Sequence, residues 1–269
     1  QWVSRVRMAK DFCHDQDIAL QPHWSKKWQR ATFDPLMVTP LDPAWTGQDE
    51  WMEALRTKAR TKVRSIIARN ADIALDRITD PEKLRAMGPE LIAMYRRVYG
   101  RASIVMGGLE KDDFARLAEE WGGDFLLVTH HFEGQLVGFH CGLHHAGTGT
   151  VGASKKSNNG GTIEAYFVGF DPELNKEYAL YQRMLIEFIG WGIQCGARRV
   201  VMGRTALEIK STIGALPVSM STWVHIRLPL AMPIIRWMIR RSPPRTFKPR
   251  RAWRSEWLKR WSEEGYRLN

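Results

Sequence analysis

Residues 162–217 constrain the fold more than any other part of the chain, because they predict a strand, a turn, a long helix and a second strand in succession. The first strand alternates with period two, which is typical of a half-buried strand. One of its faces carries Ile163, Ala165, Phe167 and Gly169. The dipeptide Asp171-Pro172 then predicts the end of this strand, because proline cannot continue it.

The second half of the same stretch predicts a helix and a short strand. Apolar residues recur at helical spacing over Tyr178–Cys195, and Gly196 stands where a helix-ending glycine belongs. A short apolar run at 200–202 predicts a buried strand. Strand–helix–strand units place ligands at the carboxyl ends of their strands. We therefore expect functional residues at 171–179 and 203–210.

These residues resemble the core of the GNAT superfamily of N-acyltransferases, and most closely its FemAB-like and BioF2-like branch. The resemblance rests on the tyrosine-bearing strand, a turn with Asn175, a helix carrying Tyr181, and the run GRTALEIKSTIGALP at 203–217. The run WMEALRTKARTKVRSI at 51–66 also resembles the Leu-x-x-Lys-x-Arg segment that precedes the domain in that branch. One departure concerns the donor. Members that use acetyl-CoA carry Gln/Arg-x-x-Gly-x-Gly/Ala before the helix, whereas residues 175–181 contain no glycine.

The order of the other predicted elements agrees with the resemblance. Hydrophobic periodicity and turn signals predict the following elements: helices over 49–69, from 79–82 to Tyr99 and over 109–121, and a hairpin of strands 125–132 and 135–145. The resemblance implies an α/β (α+β) fold with a GNAT-like mixed central sheet flanked by helices. A partial or trimmed N-terminal lobe and a basic helical C-terminal tail complete the prediction. The predicted domain boundaries are 1–70 for the lobe remnant with its basic helix, 71–224 for the acyltransferase domain and 225–269 for the C-terminal extension.

Charge is concentrated at the carboxyl end of the chain. The net charge is +11, and residues 225–269 hold 12 Lys/Arg against 3 Asp/Glu. A helix predicted over Arg251–Glu263 carries tryptophans on one stripe, which suits either a membrane interface or docking onto the domain. The apolar run at 226–239 contains arginines and prolines, so we do not expect it to span a bilayer.

The cysteine pattern bears on the compartment. The three cysteines are Cys13, Cys141 and Cys195. Their odd number and spacing argue against a disulfide scaffold and favour a reducing compartment. We therefore expect a cytoplasmic protein, with peripheral attachment at the inner membrane face as a further alternative.

Acyl transfer to an amine needs a base, stabilisation of the carbonyl oxygen and alignment of two substrates. Glu164 is the acid best placed on the predicted strand to act as the base. Tyr166 and Tyr181 are candidates to donate to the carbonyl oxygen or to protonate a leaving thiolate. The simpler alternatives are a surface-facing glutamate and ordinary core or rim tyrosines.

The donor site follows from the resemblance. In GNAT proteins the carbonyl and pantetheine arm lie along the strand matched here by 162–170, and the phosphates lie on backbone N–H groups at the next helix N-terminus. The matching donor residues are Asn175, Lys176, Tyr178, Ala179 and Leu180. Without glycine the backbone approach is more hindered, so acetyl-CoA or another acyl-CoA, an acyl carrier and aminoacyl-tRNA all stay open as donors. The basic helix at 49–69 is either a solvated face or a cradle for donor phosphates or tRNA, and with the basic tail it motivates aminoacyl-tRNA as a donor.

Charged residues after the second strand form the candidate substrate site. A packed chain seldom places several charges behind a buried strand without pairing or a ligand. The candidates are Arg204, Thr205, Glu208, Lys210 and Gly214, and the resemblance most readily assigns Lys210 and Gly214 to substrate binding. An ion-pair network without a ligand is the alternative. Small amines, peptides and lipid precursors are all open as acceptors.

Five histidines crowd the predicted hairpin: His130, His131, His140, His144 and His145. Zinc is the metal that such residues suggest, but no established ligand spacing is present, and we expect no metal. A histidine acting as the base for the amine is an alternative to Glu164.

The sequence thus predicts an acyltransferase that moves an acyl or aminoacyl group from an activated donor to an amine. A different class stays open. In that alternative the chain is a non-catalytic, degenerate GNAT-like module that binds a membrane surface or a protein partner through its basic tail.

Overall fold

The structure, a computed structural model, describes residues 6–12, 28–100, 108–145, 160–226, 237, 241 and 247–266. The glycine-rich run at 146–161 and the apolar run at 226–239 lie almost wholly outside these residues.

The elements of the described part are as follows. The strands are β1 (Val6–Phe12), β2 (Gln29–Thr32), β3 (Leu36–Pro40), β4 (Ala74–Ile78), β5 (Phe125–Phe132), β6 (Gln135–His145), β7 (Thr162–Phe170), β8 (Arg199–Val201), β9 (Leu216–Val218) and β10 (Ser221–Ile226). The helices are α1 (Gln48–Ala54), α2 (Thr57–Arg69), α3 (Pro81–Tyr99), α4 (Asp113–Trp121), α5 (Pro172–Tyr178), α6 (Leu180–Gln194), α7 (Leu207–Thr212) and α8 (Ser255–Glu263). The predicted hairpin and the strand at 162–170 are confirmed.

Seven strands form the central sheet in the order β4-β5-β6-β7-β8-β3-β9. The β7–β8 pair is parallel, and the other neighbours are antiparallel. A second sheet has the order β1-β10-β2. The predicted mixed sheet flanked by helices is therefore confirmed.

Helices cover both faces of the central sheet. On one face, here called the α6 face, α6 packs with α1, α2 and the C-terminal segment in one apolar cluster. On the other, the α4 face, α3 and α4 cover β5 and β6. The α6-face cluster contains Met37, Ile186 and Trp261, so residues from all three predicted segments share one core.

The single helix predicted over 49–69 is wrong, because the chain breaks between α1 and α2. Trp253 pairs with Leu55 as an isolated β-bridge at the break. The Arg56 amide donates to the Ala252 carbonyl at 2.7 Å, and the Arg254 amide donates to the Ala54 carbonyl at 3.1 Å. These bonds satisfy backbone groups that a continuous helix would have paired internally.

The helix predicted over 178–195 also differs from the structure. Two helices occupy this region, because α5 begins at Pro172 and Ala179 then separates it from α6. Ala179 has left-handed backbone angles, with φ 55° and ψ 44°. That conformation ends α5 and turns the chain into α6.

The tryptophan stripe of the tail is docked. Trp253 and Trp261 are fully buried, and Trp45 stacks on Trp253 with ring centroids 6.1 Å apart. The indole of Trp253 donates to the Gly214 carbonyl at 2.7 Å. Of the two alternatives for this stripe, the structure shows the docked one. Among the described residues no helix has both the length and the apolar character needed to cross a bilayer.

Candidate active site

A gap opens where β7 and β8 part. The two strands pair over only three residues each, and the last pair joins Glu164 to Val201. β7 continues to Phe170 without β8 beside it. From Ala165 onward the β8-side edge of β7 thus has no strand partner in the described part of the chain. We call the gap beyond Glu164 and Val201 the wedge.

A bulge in β7 lies at the start of the wedge. In the β6–β7 ladder Gly142 pairs with Ala165 and Cys141 with Phe167, so Tyr166 is the extra residue. Such a bulge bends the strand and changes the direction of its side chains. Ala165 packs on the α6-face core, whereas Phe167 packs on the α4-face core.

A cavity of about 310 Å³ lies on the α4 face of the wedge. Its lining consists of Leu36, Glu164, Ala165, Tyr166, Phe167, Val201 and Gly203. The predicted residues Glu164 and Tyr166 therefore meet in one cavity. Tyr166 is 49% exposed, so its ring is accessible there to a ligand.

Glu164 is hydrogen-bonded on the side of β6. Its Oε2 lies 3.1 Å from Nε2 of His145, and both side chains are about one-third exposed. A second histidine–carboxylate pair lies nearby, with His144 Nδ1 3.2 Å from Asp124 Oδ1. Asp124 and His144 do not line the cavity.

The third predicted catalytic residue, Tyr181, lies on the other face of the sheet. It occupies the first turn of α6 and packs against the α6-face core. Burial raises the pKa of its hydroxyl well above the usual range. The structure therefore brings Glu164 and Tyr166 together and places Tyr181 across the sheet from them.

Tyr181 lines a second cavity, of about 270 Å³, on the α6 face. The other lining residues are Lys62, Arg69, Asn175, Lys176, Ala179, Gln182 and Ile209. Lys176 binds Glu173 through both carboxylate oxygens, at 2.9 and 2.7 Å. Arg69 donates to the Glu177 carbonyl at 3.1 Å. Lys62 and Arg69, which have no carboxylate partner among the described residues, give this cavity its positive charge.

In the first turn of α6, one of the backbone N–H groups that could bind an anion already has a hydrogen-bond partner. The Asn175 side-chain oxygen accepts from the Tyr181 amide at 2.9 Å, so this backbone donor is already satisfied. Of the five predicted donor residues, Asn175, Lys176 and Ala179 line the cavity. Tyr178 instead stacks near Phe132, with ring centroids 5.2 Å apart, and Leu180 is fully buried in another apolar cluster.

The loop after β8 borders a third cavity, of about 440 Å³. Its lining includes the predicted residues Arg204, Thr205 and Glu208, together with Asp34, Ala206, Leu207, Ile209 and Phe247. Ile209 borders both this cavity and the one beside α6. Glu208 lies 3.5 Å from Arg250 of the docked tail.

Lys210 is a buried cation. Its residue is 2% exposed, and burial lowers the pKa of its ammonium to about 8. No hydrogen bond or ion pair joins its Nζ to another of the described residues. A methyl group added at Gly203 would stand 3.8 Å from this nitrogen, so the ammonium lies beside the β8–α7 loop. Gly214, the last predicted substrate residue, abuts the Trp253 ring and lines none of the three cavities.

Sequence reasoning considered Lys62 and Arg69 only as members of a basic helix, and His145 only as one of five hairpin histidines. Lys62 and Arg69 are seven residues apart, a spacing that places them on one side of a helix. His145 lies two residues beyond the β6 partner of Glu164, a diagonal that only the strand register reveals. Within the described residues, no group of three His, Cys, Asp or Glu side chains is arranged to hold a metal ion.

A family model described as "Acetyltransferase (GNAT) domain" matches residues 54–211, which include β7, the wedge, α6 and Lys210. The chain belongs to the GNAT acyltransferase family. The predicted membership in this superfamily is thereby confirmed. A comparison with curated protein sequences gave no significant match.

Several solved structures share the fold of this GNAT protein. FemX is 13% identical, with a TM-score of 0.55, and the alignment covers 86% of this chain and 74% of FemX. L-PGS from Bacillus licheniformis is 14% identical, with a TM-score of 0.53 over 87% and 72% of the two chains. A conserved protein of unknown function from Bacteroides thetaiotaomicron VPI-5482 is 10% identical, with a TM-score of 0.52 over 81% and 69%. At such identities the likeness concerns the fold alone.

Proposed function

We propose that this protein is an N-acyltransferase that moves an acyl or aminoacyl group from a phosphate-bearing activated donor to an amine at the wedge. One observation carries the proposal. The unpaired edge of β7 runs between a cavity that contains Glu164 on the α4 face and a cationic cavity on the α6 face. A donor on one side of the sheet and an amine on the other would meet in this gap.

The free edge of β7 suits the arm of the donor. Its unpaired N–H and C=O groups from Ala165 onward can bond the amide groups of an extended arm as a neighbouring strand would. The reactive carbonyl then lies beside Glu164 and Tyr166. This alignment supplies the proximity on which acyl transfer depends.

Lys62 and Arg69 are proposed to bind the phosphates of the donor. The Asn175 side chain occupies the Tyr181 amide, so fewer backbone donors of α6 are free for an anion. Lys176 is neutralised in part by Glu173. The remaining positive charge of the cavity comes from α2. Acyl-CoA, an acyl carrier and aminoacyl-tRNA all present phosphate groups, so this chemistry suits each of the three.

Lys210 is proposed to bind an anionic or carbonyl oxygen of the substrate. A lysine with a buried side chain, and with no partner for its ammonium among the described residues, is costly, and an oxygen ligand would offset that cost. Glu164 is proposed to take the proton of the amine, and Tyr166 to donate to the carbonyl oxygen. Tyr181 borders the cavity on the donor side, so its hydroxyl is proposed to contact the donor.

A thermal-shift titration with acetyl-CoA, a long-chain acyl-CoA, free CoA and aminoacyl-tRNA tests donor binding. A donor that binds only the folded state adds about 2.7 kcal/mol of stability at a hundredfold excess over its dissociation constant. We expect at least one donor to give a saturable shift. The double change Lys62→Ala and Arg69→Ala should weaken that shift and reduce its dependence on salt. Lys58→Ala removes a cation from the same helix outside the cavity and serves as the matched control.

Turnover then separates the enzyme from a binding module. Formation of an amide from the binding donor and a primary amine, detected by mass spectrometry, supports the proposed acyltransferase. Binding without any amide product would instead favour the non-catalytic module. A Lys62 and Arg69 double variant that keeps wild-type donor binding and turnover would contradict the proposed phosphate site.

A further inference from the structure

The α4 face of the wedge contains a row of three side chains that the proposed chemistry uses only in part. Trp121 meets His145 edge-on, with ring centroids 5.3 Å apart and an interplanar angle of 88°. His145 in turn meets Glu164 at 3.1 Å. We propose that His145 is a positioning residue that holds Glu164 as the proton acceptor for a protonated primary amine carried on an apolar body. The inference rests on the proposed acyltransferase function and names its acceptor.

Strand register explains why the row forms. In the β6–β7 ladder Leu143 pairs with Glu164, and His145 pairs with Thr162. His145 and Glu164 are therefore diagonal neighbours on one face of the sheet. Trp121 ends α4 and meets the imidazole edge-on. The ring thus contacts both an indole and a carboxylate, and its bond to Oε2 leaves Glu164 Oε1 for a ligand.

The surroundings of Glu164 favour a cation on an apolar carrier. Most of the cavity lining is apolar, and Glu164 is its one carboxylate. The neighbouring cation on β8, Arg199, donates to the Thr162 hydroxyl at 3.0 Å and is buried. A protonated amine at Glu164 would have the exposed Tyr166 ring beside it, and aromatic rings attract cations.

The remaining charged groups of this face are paired or point to solvent. Asp124 pairs at 3.2 Å with His144, whose partner in β7, Ile163, packs on the α6 face. The Tyr266 hydroxyl interacts with Arg199, and burial raises the pKa of this hydroxyl. On α4, Glu119 binds Arg85, and Glu120 is exposed. Among the described residues Glu164 is therefore the carboxylate of this face that meets the cavity.

In the proposed step, the ammonium of the acceptor gives one proton to Glu164, and the freed nitrogen lone pair attacks the acyl carbon of the donor. A C–N bond forms, the bond from the acyl carbon to the sulfur or oxygen of the donor breaks, and the second proton of the nitrogen goes to that leaving atom. Glu164 then releases its proton to solvent. The bond from His145 keeps the carboxylate oriented throughout.

The test uses the full chain, the donor that shifts its melting temperature, and three primary amines: phenethylamine, hexylamine and glutamate. Wild-type protein should form amides with the first two and at least tenfold less with glutamate. Glu164→Gln should lower kcat by about a hundredfold, as expected for loss of a general base. His145→Leu should lower kcat about tenfold, leave KM for the donor unchanged and alter the pH profile of kcat. His145→Gln, which can still donate to the carboxylate, should recover most of the activity.

The second histidine–carboxylate pair supplies the matched control. His144→Leu and Asp124→Asn remove a similar bond at the neighbouring position of β6, on the opposite face of the sheet, and should leave kcat and the pH profile unchanged. A His145→Leu variant with wild-type kcat and pH profile would overturn the positioning role, and preference for glutamate would overturn the acceptor class. Donor binding is measured separately by thermal shift. A wild-type protein that binds no donor would therefore overturn the proposed function itself, and this inference with it.

Discussion

Lys210 has an energetic cost that is explained at the scale of a single residue. Its ammonium is buried, and its pKa falls from 10.5 to about 8 because burial disfavours the charged form. The unfolded chain keeps the ordinary pKa, so it binds the proton more tightly than the folded chain does. The difference corresponds to about 3 kcal/mol of lost stability at neutral pH. Packing alone does not explain a lysine that lowers the stability of the fold this much. Binding of a ligand oxygen by its ammonium would explain it.

We predict that Lys210→Met raises the stability of the ligand-free protein at pH 7 by up to about 3 kcal/mol and abolishes turnover. The wild-type free energy of unfolding should rise with pH between about 8 and 10.5, because only the unfolded chain holds the proton in that window. The variant should lack this rise. Urea titrations at pH 7, 9 and 10.5 measure both effects. A variant that is less stable than wild type at pH 7 would contradict this explanation.

Two buried histidines give a pH dependence of the same sign in a lower pH range. His130 Nε2 and His140 Nδ1 lie 2.9 Å apart between β5, β6 and α6, and His140 packs edge-on against Phe188. Burial lowers the pKa of His130 to about 3 and that of His140 well below 6.5, and the charge of Arg183 adds to both shifts. The unfolded chain therefore binds more protons than the folded chain below pH 6.5.

We predict that the free energy of unfolding falls as the pH drops from 6.5 to 5, before most carboxylates titrate. Urea titrations across this range measure the slope. The half-buried neighbour provides the control, since His131→Gln should keep most of the wild-type slope, whereas replacing both His130 and His140 by Asn should flatten it. Equal stability of the wild type at pH 6.5 and pH 5 would contradict the prediction.

At the scale of elements, the docked tail contacts the end of α7, the helix that carries Lys210, and the turn that follows it. The Trp253 indole bonds the Gly214 carbonyl at 2.7 Å, and the Arg250 amide donates to the Ser211 hydroxyl at 3.0 Å. Both partners flank Lys210 at the end of α7. The C-terminal segment therefore helps to form the candidate site instead of extending away from it.

We predict that Gly214→Ala destabilises the protein more than Gly196→Ala does. Both glycines have positive φ, 99° and 64°, and alanine is strained there by about 1 kcal/mol or more. At Gly214 the added methyl would also lie 2.8 Å from the Trp253 ring, whereas nothing lies within 4 Å of the corresponding position at Gly196. Urea titrations of the two variants measure the loss of stability. Gly196→Ala reports backbone strain alone, and Gly214→Ala reports backbone strain plus displacement of Trp253. Equal losses of stability would show that Trp253 moves freely.

Local signals were sufficient for some elements and insufficient for others. Alternation and the Glu133-Gly134 turn predicted both strands of the β5–β6 hairpin. The break between α1 and α2 was not predictable, because the strand-like contact that causes it comes from Trp253, about 200 positions later in the chain. Tertiary contacts of this kind override helical periodicity.

Only part of the candidate site, like only part of the fold, was predictable from the sequence. Alternation placed Glu164 on the correct strand, and the structure adds Tyr166 to its cavity through a bulge that alternation does not reveal. The error in the predicted start of the helix at Tyr178 had a larger effect on the predicted donor residues. Because Ala179 is left-handed, Tyr178 and Leu180 point away from the cavity that Asn175 and Ala179 line. Their proposed role in donor binding stays a prediction that the structure does not favour.

At the scale of the whole molecule, the sheet separates two environments, and the wedge lies between them. The α6 face presents the cations Lys62 and Arg69, and the α4 face presents Glu164 with an apolar lining. An anionic donor and a cationic amine would each be attracted to its own side. The parting of β7 and β8 then joins the two sides at one carbonyl.

Hydrogen exchange of the backbone amides of β7 tests this account most directly. A donor arm bonded along the free edge should slow the exchange of the peptide that covers residues 165–170. The peptide that covers β4, at the far edge of the same sheet, should be unaffected. The experiment uses saturating acetyl-CoA, a long-chain acyl-CoA and aminoacyl-tRNA in turn. Protection of 165–170 by at least one donor is the predicted result, and unchanged exchange in that peptide with a donor that demonstrably binds would contradict the account.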